Sequence, residues 1–374
     1  MGVKTSFANL MPEEKQAYKN EAFRLAMEKS FWTRFMGGAD AVVADVKDVI
    51  VGQKTIRAFL HLVPGLDATG VVGDNTMDGN EAGLSAEFEE IKIDQLRQAL
   101  STTGEFDDRR SVINFRKEAL TALSDWLAIT IDSLMFNTAS GITYGFDNDG
   151  SARTVVAGQQ NFTALQYAGD VKVPTSKRHL TYTGSALVTG DTSTVTAAYL
   201  PSYEMIVKLK AYAQTHGVKP LNIGGKSTYI LVVHPLTFAL LKLDSKFNAA
   251  LTTALQRGND NPIFTGADAV LMDGIVIHTS ERVHTTLGAA AASKWGAGGL
   301  VDGTRSLLLG KTALAYAAVE DKGEWREDTK DFGNIKQIAI RSMFGMLKPQ
   351  FKSPKDGDTL QDFGLIAVDT ALVA

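Results

Sequence analysis

Apolar positions along the 374-residue chain fall into two periods. Between residues 12 and 35, Phe23, Met27, Phe31 and Phe35 recur every fourth position, which predicts an amphipathic helix. Pro12 with Glu13 and Glu14 suits its first turn, and Gly37 and Gly38 stop it. Phe31 and Trp32, so near the terminus, must bury against the chain's own core or a neighbour. Thr55 to Leu62 alternates with period two, as a strand does, and Phe88 to Asp94 reads as a second strand. Between them Gly70 to Glu87 is rich in glycine and acid, so the two strands predict a long hairpin with a polar tip. Residues 105–140 carry Ile113, Leu120, Leu123, Leu127, Ile131 and Leu134 at mostly three-to-four spacing, with Trp126 on a flank and Asp107 or Asp108 as a cap. A helix of about 30 residues spans roughly 45 Å, a strut rather than an ordinary core helix.

Further on, residues 141–196 are rich in Gly, Thr, Ser and Val, with turns at Asn148-Asp149-Gly150, Gly169-Asp170 and Gly190-Asp191. They read as an insertion of short strands and loops. A helix from Tyr199 to His216 ends at Gly217, an apolar strand runs from Tyr229 to Val233, and Leu236 to Arg257 reads as helix. A loop follows over 258–266. Ile275–Ile277, Ser306–Leu309, Lys336–Ser342 and Leu365–Thr370 read as strands. The fold class is α+β.

Composition narrows the chemistry. Zero cysteines exclude disulfides, thiolate nucleophiles and cysteine-based metal sites. A net charge of −4 argues against avid nucleic-acid binding over a broad face. The N-terminus has no apolar signal core, and no run of ~18 apolar residues points to a membrane span. Only 21% of residues are charged, against about 25% in average chains. A compact monomer of 40.3 kDa exposes roughly 14,500 Å². A charge-poor chain of this size is expected to share surface with partners.

Catalytic motifs fail one by one. Gly310-Lys311-Thr312 lacks the first P-loop glycine because position 305 is Arg305, and Gly225-Lys226-Ser227 lacks it because position 220 is Pro220. Asp74-x-Thr76-x-Asp78 opens like a calcium loop, but Ser85 stands where a bidentate Glu is needed. The six histidines (61, 179, 216, 234, 278 and 284) are scattered without metal-ligand spacing. No catalytic, cofactor-binding or metal residue is assigned. A soluble nucleotide-binding enzyme with its site near Lys311 or Lys226 stands as the alternative from another class.

An ordered series of segments then resembles one family. Gly70 to Glu81, Ile93-Asp94-Gln95, Phe106 to Arg110, Arg116 to Leu127 and Asp132 are similar to tailed-bacteriophage major capsid proteins of the N-four type. Val232 to Pro235, Gln256-Arg257-Gly258, Asn261 to Gly266, Asp273 to His278, Leu307 to Gly310, Ala313 to Tyr316, Asp331 to Asn334 and Val368 to Thr370 continue the match in order. The resemblance covers about residues 50–370 and leaves 141–196 without a family pattern.

It implies the Hong-Kong-97-type (HK97-like) capsid fold. The layout it implies is an N-terminal arm over 1–45, an E-loop hairpin over 46–104, and the spine helix of a peripheral domain over 105–140. A peripheral-domain helix over 197–216, an axial domain over 217–320 and returning strands over 321–374 complete it. The implied function is the major capsid protein of a tailed double-stranded DNA phage. It assembles as pentamers and hexamers in the host bacterial cytoplasm and resides in the icosahedral virion capsid. Expected partners are further copies of itself, a separate scaffolding protein, a portal and a cement protein, with enclosed DNA bound without sequence preference and no membrane. A bacterial nanocompartment shell keeps the fold and changes the cargo. Interface roles are expected for Phe31 and Trp32 in the arm and for Arg57, Asp74 and Glu81 in the hairpin. Arg109 and Arg110 at the helix base and Arg257 in the axial domain complete the set.

Overall fold

The computed structural model describes residues 21–22, 24–38, 40–46, 55–64, 70–80, 84–104, 115–254, 269–319 and 324–373. Two sheets share one long helix, α1 (Phe115–Ser140). With strands numbered in chain order, the first sheet runs β1 (Met36–Gly37), β2 (Val43–Val46), β13 (Leu314–Ala318), β15 (Ile335–Leu347), β14 (Glu324–Lys330). The thirteen-residue β15 also pairs, on its other edge, with β5 (Asp94–Ser101). The second sheet runs β10 (Ala269–Met272), β11 (Ile275–Thr279), β9 (Lys226–Val233), β12 (Gly303–Leu309), β18 (Leu365–Ala371), β6 (His179–Tyr182), β7 (Leu187–Thr189), with β8 (Leu221–Ile223) beside β9.

Strands β12 and β18 are buried at every position, with apolar stretches at Leu307–Leu309 and Leu365–Val368 and the polar residues Arg305 and Asp369 buried alongside them. Successive side chains point to opposite faces. Ile230, Val232, Leu307, Leu309, Leu365 and Ala367 meet α1 on one side. Leu231, Val233, Leu308, Ile366 and Val368 meet the other side's helices, α2 (Tyr203–Thr215), α3 (Pro235–Leu243) and α4 (Ser245–Ala254). Each of the Val, Leu and Ile side chains contributes roughly 1.5–3 kcal/mol by leaving water. On β15 the even positions Ile338, Ile340, Phe344 and Met346 face α1, so the helix is clamped between the sheets.

Helix α1 is apolar and long enough to cross a membrane by composition, but 67% of its apolar window is buried inside the protein. Its last eleven residues, 130–140, are buried on every side. The polar groups there are paired with the segment that follows. Ser133 donates to Asn148 Oδ1 at 2.5 Å, Asn137 to the Phe146 carbonyl at 2.9 Å, and Thr138 bonds the Tyr144 hydroxyl at 2.7 Å. Tyr144 and Tyr167 are buried against the same core. Residues 141–196 are short strands and loops that lend Tyr144 and Tyr167 to this core, and β6 and β7 extend the second sheet, a closer tie to the fold than the word insertion suggests.

Two further differences have local causes. The helix expected over 12–35 ends at Lys29 among the described residues, and Trp32–Phe35 form a 3-10 turn. The helix expected over 236–257 is broken into α3 and α4 at Asp244, whose carboxylate accepts from Tyr203 N at 2.8 Å and Lys246 N at 3.3 Å. Residues 255–268 lie outside the described part, as do 105–114 of the expected long helix.

Candidate assembly interface

Strands β3 (Thr55–Pro64) and β4 (Leu84–Lys92) form a two-stranded ribbon that pairs with no third strand among the described residues. At about 3.3 Å per residue it extends roughly 30 Å. Its base is fixed along one face of β4. Ile91 is buried, Glu89 pairs with Lys172, and Glu89 and Glu87 accept the backbone N–H groups of Gln350 (2.9 Å) and Lys352 (3.0 Å). Gln350 and Lys352 belong to β16 (Gln350–Ser353), which hairpins onto β17 (Thr359–Asp362). On the opposite face Phe88 is exposed. Beyond the base, residues 72–80 are all exposed. Their turn is self-contained: Asn75 donates to the Val72 carbonyl at 2.7 Å, and Asn80 to the Thr76 carbonyl at 3.1 Å. Residues 65–83 hold four acids (Asp67, Asp74, Asp78, Glu81) and no Lys or Arg. An isolated two-stranded ribbon is marginal in water, so its outer half is built to rest on something else.

The N-terminal segment is fixed to α1 by a buried carboxylate. Asp132 accepts from Ser30 Oγ at 2.6 Å, Phe31 N at 2.8 Å and Trp32 N at 3.5 Å. These bonds end the helix and start the turn, because the carboxylate takes N–H groups that α-helical continuation would bury. Burial pushes the Asp132 carboxyl up, against the opposing pull of Ser30, Phe31 and Arg282. Trp32 stacks obliquely on Phe136 at 4.8 Å, and Phe31 lies 5.4 Å from the same ring.

A second buried group ties the two halves of the central sheet. Arg305 on β12 stands opposite Asp369 on β18 in register, with Nε–Oδ1 2.7 Å and a terminal nitrogen to Oδ2 at 2.9 Å. His179 on β6 meets Asp369 Oδ2 at 2.6 Å, and Arg305 donates to the Ser140 carbonyl at the end of α1 at 2.8 Å. The C-terminal carbonyls of α1 attract this cation. Burial pushes the Asp369 carboxyl up, but Arg305 and His179 together outweigh it and hold it at about 2.

The phosphate-binding readings meet occupied backbone. Around Lys311 the N–H groups of Lys311, Thr312 and Ala313 already donate to Lys219, Ala41 and Val42 carbonyls at 2.8–2.9 Å. Lys311 itself pairs with Asp40. Gly224-Gly225, with φ of 59° and 78°, is the two-residue turn joining β8 to β9, and Lys226 opens the strand. No group of three metal-ligating side chains occurs among the described residues. His234 caps α3, accepting from Leu236 N at 3.3 Å, and its pKa is lowered by burial. His284 is pushed down to about 4 by burial and Arg305.

Of the residues singled out in the sequence, Trp32 is fully buried in its own chain. It holds the segment in place and has no surface to give a neighbour, which narrows its expected role to an internal anchor. Phe31 is partly buried beside it, and Arg34 covers its ring. Arg57 lies on β3 in register with Glu90, and Asp74 is exposed on the ribbon's turn. Glu81, Arg109, Arg110 and Arg257 lie outside the described residues. The sequence series includes Asp132 and Asp369 and the phosphate-loop comparison includes Arg305, but neither gives them a role. Asp132 and Asp369 are charges inside otherwise apolar runs, positions where a carboxylate is buried only when paired.

The chain matches the family described as phage capsid protein over residues 7–374. It is 37% identical over 372 residues to the major capsid protein of Pseudomonas phage KPP25, covering 98% of this chain and 97% of that one. Its fold resembles the capsid of Ralstonia phage GP4 with a TM-score of 0.73 at 22% identity, covering 92% of each chain. The capsid asymmetric unit of cyanophage Pam1 follows at 0.71 and 14%, covering 92% and 93%. At these identities the two structures speak for the fold alone.

Proposed function

The chain belongs to the phage capsid protein family, and from that premise we propose how its parts build a shell. As a major capsid protein it is a structural component of the virion capsid rather than an enzyme. In our reading, copies assemble as pentamers and hexamers around DNA in the host bacterial cytoplasm, with a scaffolding protein, a portal and a cement protein as further partners. The ribbon of β3 and β4 is the E-loop, α1 the spine, residues 1–45 the arm, and the region around β9 to β12 the axial domain.

The observation that carries this reading is the ribbon. Its base is pinned by Glu87, Glu89 and Ile91, and residues 72–80 of its acidic outer turn are exposed. A projecting turn whose described residues are exposed gains stability when a neighbour covers it. A contact of ribbon on neighbour is head-to-tail, the kind that closes into rings. Arg57, Asp74 and Glu81 on the hairpin, Arg109 and Arg110 at the spine base and Arg257 are the proposed contact residues.

The test is to replace residues 70–80 by a two-residue turn and follow particles by size-exclusion chromatography and negative-stain microscopy. Wild-type chain should give hollow particles or rings, and the shortened chain folded subunits that do not close. Shells of unchanged yield from the shortened chain, or a monodisperse wild-type monomer at high concentration, would refute the reading.

A further inference from the structure

We propose that Phe332 is a contact point between copies of this chain, a stiff hairpin tip whose ring is buried by a neighbouring subunit. The proposal rests on the shell reading above and adds a residue and a surface to it.

Strands β14 and β15 pair over seven positions, from Glu324 opposite Arg341 to Lys330 opposite Ile335. The turn between them, Asp331–Gly333, has φ of 51°, 47° and 95° at its three residues. Three consecutive left-handed residues are costly when two of them carry side chains, and for a bulky ring the position is an outlier. The turn is nonetheless well held. Asn334 N donates to the Asp331 carbonyl at 2.9 Å, and Asn334 Nδ2 to the Asp331 carboxylate at 3.0 Å. Beneath it, Thr102 and Lys336 exchange bonds at 2.9 and 3.0 Å, joining the hairpin to the end of β5.

What this scaffold presents is a phenylalanine with 111% relative exposure, the highest among the described large apolar residues. A solvent-facing turn gains nothing from such a ring, since Asn, Asp and Gly serve there at less strain. Asp328, Lys330 and Asp331 surround it as exposed charges. An aromatic centre ringed by charge is the anatomy of an interface hot spot. The bonded turn holds the backbone beneath the ring in place before any partner arrives, so little backbone ordering cost remains on binding. The occupant is a second copy of the chain, because the capsid family to which the chain belongs is one whose members form shells of many subunits. A tip on one copy received at a different place on the next is a head-to-tail contact, as ring closure requires.

The test uses the full chain. Phe332→Ser should leave the thermal unfolding of dilute subunits unchanged, since the ring has no intrachain packing to lose. It should raise the subunit concentration needed for particles by at least about tenfold, the effect of losing one buried phenyl, while Phe332→Leu recovers part of it. A photo-crosslinking phenylalanine analogue at 332 should join two copies in particles and not in dilute subunits. Particles of Phe332→Ser forming at the wild-type threshold would overturn the proposal, as would crosslinks confined to its own chain or made only to another protein. If the wild-type chain forms no particles at all, the shell reading itself fails first and takes this proposal with it.

Discussion

Replacing Asp369 by alanine should be among the most damaging single substitutions in the protein. The carboxylate is fully buried and makes three charge-assisted contacts, two with Arg305 and one with His179. Arg305 is itself only 5% exposed, so the substitution strands a buried guanidinium. Breaking a buried pair from one side costs about 3–5 kcal/mol. Against a typical total of about 5–15 kcal/mol, that takes a large share of the fold's stability. The pH dependence gives a second handle. The folded carboxyl is held at about 2 against an ordinary 3.8, worth on the order of 2 kcal/mol by linkage. Because the folded value is depressed, this stability is complete above the unfolded value and lost as pH falls from about 5 through about 2. The assay is urea unfolding of unassembled subunits by circular dichroism, at neutral pH and down the acid series. The double variant Arg305→Met with Asp369→Leu should recover much of the loss, since it leaves no unpaired charge. A loss below about 1 kcal/mol for Asp369→Ala would refute the reasoning, as would a double variant as unstable as the two single losses added.

Other positions give sharper local outcomes. Trp32→Ala should cost about 3–5 kcal/mol through the cavity against Phe136, measured by urea unfolding. Asp132→Ala should leave the sheets intact but expose residues 21–35 to limited proteolysis and rapid amide exchange; equal protection in wild type and variant would count against the latch. At Gly345 an added Cβ would collide with the Lys92 backbone carbonyl, which cannot swing aside, so Gly345→Ala should lose at least about 2 kcal/mol. Lys311→Ala should leave nucleotide binding by calorimetry at zero, as in the wild type. A measurable ATP affinity removed by that substitution would reopen the enzyme reading.

The elements best read in advance were those whose burial follows one clean period. Tyr229–Val233 and Leu365–Val368 are continuous apolar runs because both faces of the central sheet are covered. Strands β5 and β14 carry a weak local signal because they bury little: Asp94–Ser101 alternates its Leu96 with exposed Gln95 and Arg97, and in Glu324–Lys330 buried Trp325 and the covered Glu327 side chain stand among exposed Arg326, Asp328, Thr329 and Lys330. Strand edges of this kind are set by β15, a partner hundreds of residues away in one case, and no local window contains it. The break at Asp244 was hidden for a similar reason, since the amide it caps belongs to Tyr203 on another helix. The ribbon's acidic turn was visible in composition, while Phe332 was hidden because exposure is a property of the fold and not of the residue.

One junction has a mechanical consequence. Strand β4 ends at Lys92 and β5 begins at Asp94, so the ribbon runs into the sheet edge with a single residue, Ile93, between them. β5 is bonded along eight positions to β15, which in turn carries β13 and β14. Beside that junction Glu87, Glu89 and Ile91 brace the ribbon, so it joins the spine-facing sheet through backbone and side chains alike. The strand that receives it, β15, also leads out of the turn bearing Phe332, so the ribbon and that tip are rooted in one strand.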